Sequence, residues 1–83
     1  MLIKYNGEVT RAVNYKGIQV VQIPRTLIWQ LLLIDPSKSL RSYTGTLPAM
    51  RAVIEDALIV GKGSEKKFIP ANTYPDVETV EVP

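Results

Sequence analysis

The sequence predicts an α+β fold: a small antiparallel β-meander packed against one or two helices, with an extended C-terminal arm. Three observations carry that prediction. Asn6-Gly7 and Lys16-Gly17 are turn signals that divide residues 1–23 into β-prone pieces. Apolar residues recur at three- and four-residue spacing across residues 47–60, the pattern of a one-sided helix. After Gly63 the chain carries Pro70, Pro75 and Pro83 but no further glycine.

The meander follows from its turns. Residues 1–5 alternate loosely and lead into Asn6-Gly7, which suits a type I′ turn because both central residues need positive φ. Residues 8–14 supply Val9, Ala12 and Val13 as the return strand. Lys16-Gly17 marks a second turn, and residues 18–23, rich in β-branched side chains, make a third strand. Pro24 ends the pairing, since it has no N–H to give to a ladder.

Residues 27–34 are one greasy run in which only Gln30 is polar. As a helix the run is apolar almost all round; as a strand it is apolar on both faces. Its leucines and Trp29 favour a helix capped by Thr26 and stopped at Asp35-Pro36. Residues 37–45 read as a polar loop or one short helical turn begun by Pro36.

The clearest helix spans residues 47–60. Thr46 or Leu47 caps it, Pro48 sits in its first turn, and Gly61 fits the left-handed position that ends it. Leu47, Met50, Val53, Ile54, Ala57 and Leu58 form its apolar stripe, with Arg51 and Glu55 spaced to pair on the opposite side. Residues 64–69 suit a short strand. This organisation puts one compact domain at residues 1–69 and an extended arm at residues 70–83.

Size and composition restrict how such a domain is stabilised. A chain of 83 residues buries only roughly 60–65% of the surface it exposes when unfolded. Disulfides, metal ions or association normally help a domain this small. There are no cysteines and no histidines, which removes disulfides and the main ligands of zinc and most transition metals. No cofactor is expected. Association remains, and the greasy run at residues 27–34 points the same way.

Charge is unevenly placed. Residues 1–70 carry +5 and residues 71–83 carry −3, for a net charge of +2. A basic body with an acidic end can associate head to tail, and it can also mask its own basic surface. Lys4 interrupts any apolar signal core, and the eight-residue run is well short of the ~20 needed to span a bilayer. No membrane partner is expected, and the cytoplasm is the expected compartment, or a virion if the protein is viral.

The chemistry excluded is extensive. Without histidine or cysteine there is no Ser-His or Cys-His nucleophile pair. Glu55 and Asp56 are neighbours on a helix and point about 100° apart, so they are poorly placed to share a proton. Ser64 and Lys67 match a Ser-x-x-Lys spacing, but they lie after a helix and enter a strand, where that spacing separates the side chains. Gly61-Lys62-Gly63-Ser64 follows a helix C-terminus, whose dipole repels phosphate.

The expected role is therefore non-enzymatic: a structural or assembly subunit of a homo-oligomer or larger complex, with a small phage or virus particle component as its most concrete version by analogy of architecture. Leu27, Ile28, Trp29, Leu31 and Leu32 in the run, and Val77, Val80 and Val82 in the arm, are the expected contacts. Trp29 has two readings, a core residue or an interface anchor, the second because tryptophan concentrates at binding hot spots. The rival reading is a small dimeric DNA- or RNA-binding regulator, with Lys38, Arg41, Lys66 and Lys67 reaching phosphates and Tyr43 stacking on a base.

Overall fold

A computed structural model of the protein describes residues 1–34, 37–59 and 67–79. Two left-handed turns lay down its first three strands. Asn6 (φ 50°) and Gly7 (φ 80°) fold β1 (Leu2–Tyr5) onto β2 (Glu8–Tyr15). Lys16 (φ 53°) and Gly17 (φ 83°) fold β2 onto β3 (Ile18–Gln22). Positive φ at both central residues is the turn whose twist matches that of paired strands. Asn14 braces the second turn by accepting the N–H of Gly17 on its Oδ1 at 2.9 Å. The expected meander is present.

The greasy run is a strand, which corrects the helix expected there. Trp29–Ile34 forms β4, and Leu27 and Ile28 lie in its approach. Thr26 caps no helix. Its hydroxyl donates to Ile23 O at 2.8 Å and accepts the N–H of Ile28 at 3.1 Å, closing a hairpin. The physical reason is position. One edge of β4 pairs along its whole length with β5 (Leu40–Gly45), and the other pairs first with β3 and then with β6 (Lys67–Phe68). A strand with neighbours on both edges and cover on both faces overrides leucine's preference for helix.

Strand β5 is a second correction, since residues 37–45 read as loop or helical turn. Its polar side chains hid it: they are solvated at the margin of the sheet. The described strands follow the order β5-β4-β3-β2-β1-β7, with β6 beside β4. Strand β7 is Val77–Thr79, antiparallel to β1. The described part of the expected arm thus pairs with the protein's own sheet. Val80 and Val82 lie outside the described residues.

Helix α1 (Leu47–Ala57) starts where expected. The Thr46 side chain accepts the N–H of Ala49 at 3.3 Å, and proline stands in the first turn. The helix stops earlier than residue 60, with Leu58 as its C-cap, and Gly61 lies outside the described residues. Met50, Ile54 and Ala57 are its buried residues, whereas Leu58 is exposed.

The sheet has a core on each face. On one, α1 places Met50 and Ile54 against Ile18, Val20 and Leu31, with Trp29 and Phe68 half-buried beside them. On the other, Ile3, Ala12, Val21 and Leu32 are covered by Ala71, Tyr74 and Val77. Alternation along β4 therefore sends Leu31 to the helix and Leu32 to the C-terminal segment. Both faces of β4 are apolar because the chain itself covers both.

Where β4 changes partner from β3 to β6, its ladder is closed by a side chain. The Tyr74 hydroxyl accepts the N–H of Leu32 at 3.0 Å, and Leu32 O accepts the N–H of Ile69 at 3.0 Å. Gln19 Oε1 holds the adjacent turn by accepting the N–H of Ala71 at 2.7 Å. Burial, the largest influence on Tyr74, raises its pKa and so favours the protonated phenol.

Candidate protein-protein interface

The face that carries α1 is only partly covered. Along β2, Val13 and Tyr15 pack toward the helix, but Val9 and Arg11 share that face beyond its reach. Arg11 stands opposite Leu2, and Val9 opposite Lys4. Val9, the second residue of β2, is 58% exposed. An open groove of about 440 Å³ runs here, lined by Leu2, Val9, Arg11, Gln22, Arg25 and Leu27 among others.

The wall of this groove is the β3–β4 turn, which displays a leucine. Leu27 is 85% exposed and Ile28 next to it is also exposed. The turn is held rather than loose. Ile23 N–H donates to Ile28 O at 2.9 Å, and the Gln22 side-chain amide donates to Thr26 O at 2.8 Å. Pro24 precedes Arg25, whose φ of 62° is the left-handed value a type II turn asks of its third residue. Glycine or asparagine usually takes that place, so an arginine there carries backbone strain. Arg25 Nη2 pairs with Glu8 Oε1 at 3.2 Å, while its side chain stays mostly solvent-exposed. An apolar tip in one fixed conformation, flanked by Arg11 and Arg25, suits a partner that is apolar at its centre and acidic at its rim.

A second turn makes the contrast. At the β2–β3 turn, Lys16 Nζ pairs with Glu55 Oε1 at 2.6 Å, and the Tyr15 hydroxyl donates to the same oxygen. Arg51 lies over the Tyr15 ring, 5.4 Å from its centroid. Glu55 thus pairs across to the sheet, and Arg51 contributes to the same junction. The hydrogen bond from Lys16, then that from Tyr15, lowers the Glu55 pKa, while the bond to Glu55 raises those of Tyr15 and Lys16. This cluster fastens the helix to the sheet.

Gln30, the polar residue of the greasy run, accepts the Tyr5 hydroxyl at 3.0 Å and donates to Ser42 Oγ at 3.2 Å. These groups border a cavity of about 240 Å³ with Leu32, Leu40, Tyr74 and Asp76. The cavity is smaller than most ligand pockets, and three of its polar side chains bond to one another. Among the described residues no group of three or more Asp or Glu is placed to hold a metal ion.

The structure separates the residues expected at an interface. Leu27 and Ile28 are exposed, and Trp29 is half-buried under the helix. Leu31, Leu32 and Val77 are buried in the protein's own core. Leu2, Val9, Arg11 and Arg25 were not among the residues expected at a protein interface; the available signal was that Val9 and Arg11 alternate with Thr10 and Ala12. Of the candidate nucleic-acid contacts, Arg41 and Tyr43 share one face of β5, and Lys38 is exposed before it. Lys67 stands opposite Ile34, which puts it on the other face, and Lys66 lies outside the described residues. No protein-family model, curated protein or solved structure matches this chain. Among the described residues no helix is long and apolar enough to cross a membrane.

Proposed function

We propose that the protein is a non-enzymatic assembly subunit that joins a homo-oligomer or larger complex through the groove and tip formed by Leu2, Val9, Arg11, Arg25 and Leu27. The observation that carries this reading is Leu27: a leucine 85% exposed on a turn fixed by hydrogen bonds. Exposed leucine alone is unremarkable. Here it adjoins exposed Val9 and Ile28, in a turn that tolerates arginine at positive φ. A pre-ordered surface loses less entropy on association, which is what a contact surface needs.

The test is solution mass across concentration, by light scattering or sedimentation, for the parent and for Leu27→Asp. The parent is expected to exceed the 9.3 kDa of one chain. Leu27→Asp is expected to lower that mass at the same concentration with its circular dichroism and melting unchanged. A parent that stays a single chain throughout would sink the reading. The rival DNA- or RNA-binding function draws on Arg41 and Tyr43, which share a solvated strand face. It predicts retention on nucleic acid that falls steeply with salt.

A further inference from the structure

Among the described residues strand β5 has a neighbouring strand on one edge only, which makes it a margin of the sheet. The opposite margin, β7, spans three of the described residues and is preceded by Pro75 at close range. Strand β5 is six residues, Leu-Arg-Ser-Tyr-Thr-Gly, with neither proline nor lysine. Its register against β4 runs unbroken from Trp29↔Gly45 to Ile34↔Leu40, so no bulge twists it away. Of the devices that guard natural sheet edges it has one charged side chain, Arg41.

The outward hydrogen-bonding groups follow from the register. Leu32 turns its N–H to Tyr74 and its C=O to Ile69, away from β5. In an antiparallel ladder the N–H and C=O of one residue point the same way, and successive residues alternate. Leu31 and Leu33 therefore bond to their β5 partners, Tyr43 and Arg41. Ser42, opposite Leu32, and with it Leu40 and Thr44, present their N–H and C=O to the open side.

We propose that this margin is a homodimer seam, in which β5 pairs antiparallel with β5 of a second copy about a two-fold axis at Ser42. The inference rests on the assembly reading for its premise that chains associate, and it names the partner. A two-fold perpendicular to the sheet keeps each face on its own side, so residues of equal parity must meet. Centring it on Ser42 sets Ser42 against Ser42 and Leu40 against Thr44. All three outward-facing residues then bond to the partner strand. On the α1 face the same register sets Arg41 against Tyr43 of the other copy, on both sides of the axis. A guanidinium opposite an aromatic ring is a favourable cross-strand pair, and it avoids facing arginine with arginine. The segment is complementary to itself in hydrogen bonding, and the register keeps its one charged side chain, Arg41, away from the same residue of the other copy. That favours a second copy over an unrelated strand.

The chain has no cysteine, so one introduced thiol reports on one position. Facing residues of a hydrogen-bonded pair have Cα atoms about 5.5 Å apart, within disulfide range. In this register Ser42→Cys should oxidise almost fully to a covalent dimer. Thr44→Cys should do so at least tenfold less, since those thiols would sit roughly 13 Å apart along the strands. Ser42→Pro removes an N–H that bonds nothing within β4–β5 and should halve the mass. Equal cross-linking of the two cysteine variants, or none, would overturn the seam. A parent larger than one chain that dissociates with Leu27→Asp but shows no Ser42→Cys cross-link would leave the assembly reading standing and refute the seam alone. A parent of single-chain mass at every concentration would refute both. If Ser42→Pro fails to fold, the cysteine pair still decides.

Discussion

Strands β4 and β5 are hydrogen-bonded neighbours of six residues each, yet they do opposite work. In β4, Leu31, Leu32 and Leu33 are all buried, shared between two cores. In β5 no residue is fully buried, and Leu40 and Tyr43 are among the large apolar side chains left in solvent. Backbone conformation is common to both; what differs is how many sides have cover. A strand's composition thus reports its place in the sheet more than its membership of one, and a polar strand is as firmly paired as an apolar one.

The largest test of this contrast is a pair of truncations. Leu31→Ala should destabilise the fold by about 2–5 kcal/mol in urea unfolding, because it opens a cavity under Met50 and Ile54. Tyr43→Ala, directly opposite it in the ladder, should change chain stability by about 0.5 kcal/mol or less, as surface substitutions do. Comparable losses at the two positions would mean that β5 has cover of its own.

Next in size is Tyr74→Phe. It keeps the ring in the core but removes the acceptor of the Leu32 N–H, leaving a buried donor unpaired. The expected cost is about 1–3 kcal/mol, with faster amide exchange at Leu32 than at its neighbours. An unchanged exchange rate would show that the hydroxyl is dispensable to the ladder.

A smaller effect tests the turn that leads into β4. Arg25→Gly relieves a left-handed residue of strain of about 1–2 kcal/mol, and glycine's greater freedom when unfolded returns about 0.4–1 kcal/mol of that. The variant should melt at the same temperature or slightly higher. A clear loss of stability would show that the ion pair with Glu8 outweighs the strain.

The smallest effect concerns the cover over β4. Glu55 has its pKa lowered by Lys16 and Tyr15 in the folded protein. Its contribution is therefore present above the ordinary carboxylate range near 4.3 and is lost as pH falls through the lower folded-state value. Glu55→Gln should flatten that acid dependence. Because the cluster is exposed, the change is small, and a stability profile as steep as the parent's would place the acid sensitivity elsewhere.

Much of this was legible from the chain. Asn6-Gly7 and Lys16-Gly17 are backbone constraints, and local constraints survive folding; so did the Thr46 cap and the Met50–Ile54 stripe. Residues 27–34 were misread because an apolar run records burial without recording geometry. Its surroundings, Phe68 and Tyr74 among them, arrive from roughly forty residues away. Strand β5 was missed because solvated Ser42 and Thr44 resemble a loop until β4 is there to pair with them. The groove was invisible because Val9 becomes conspicuous only once α1 is seen to end short of it.

The phenol of Tyr74, serving as one rung of a ladder it does not belong to, has a consequence for how the protein is made. The central strand cannot finish its bonding until residues 71–79 have left the ribosome. Chains shorter than that leave the Leu32 N–H without its Tyr74 acceptor and Leu32 without the cover of Ala71, Tyr74 and Val77. This part of the sheet therefore cannot complete itself from the N-terminal residues alone.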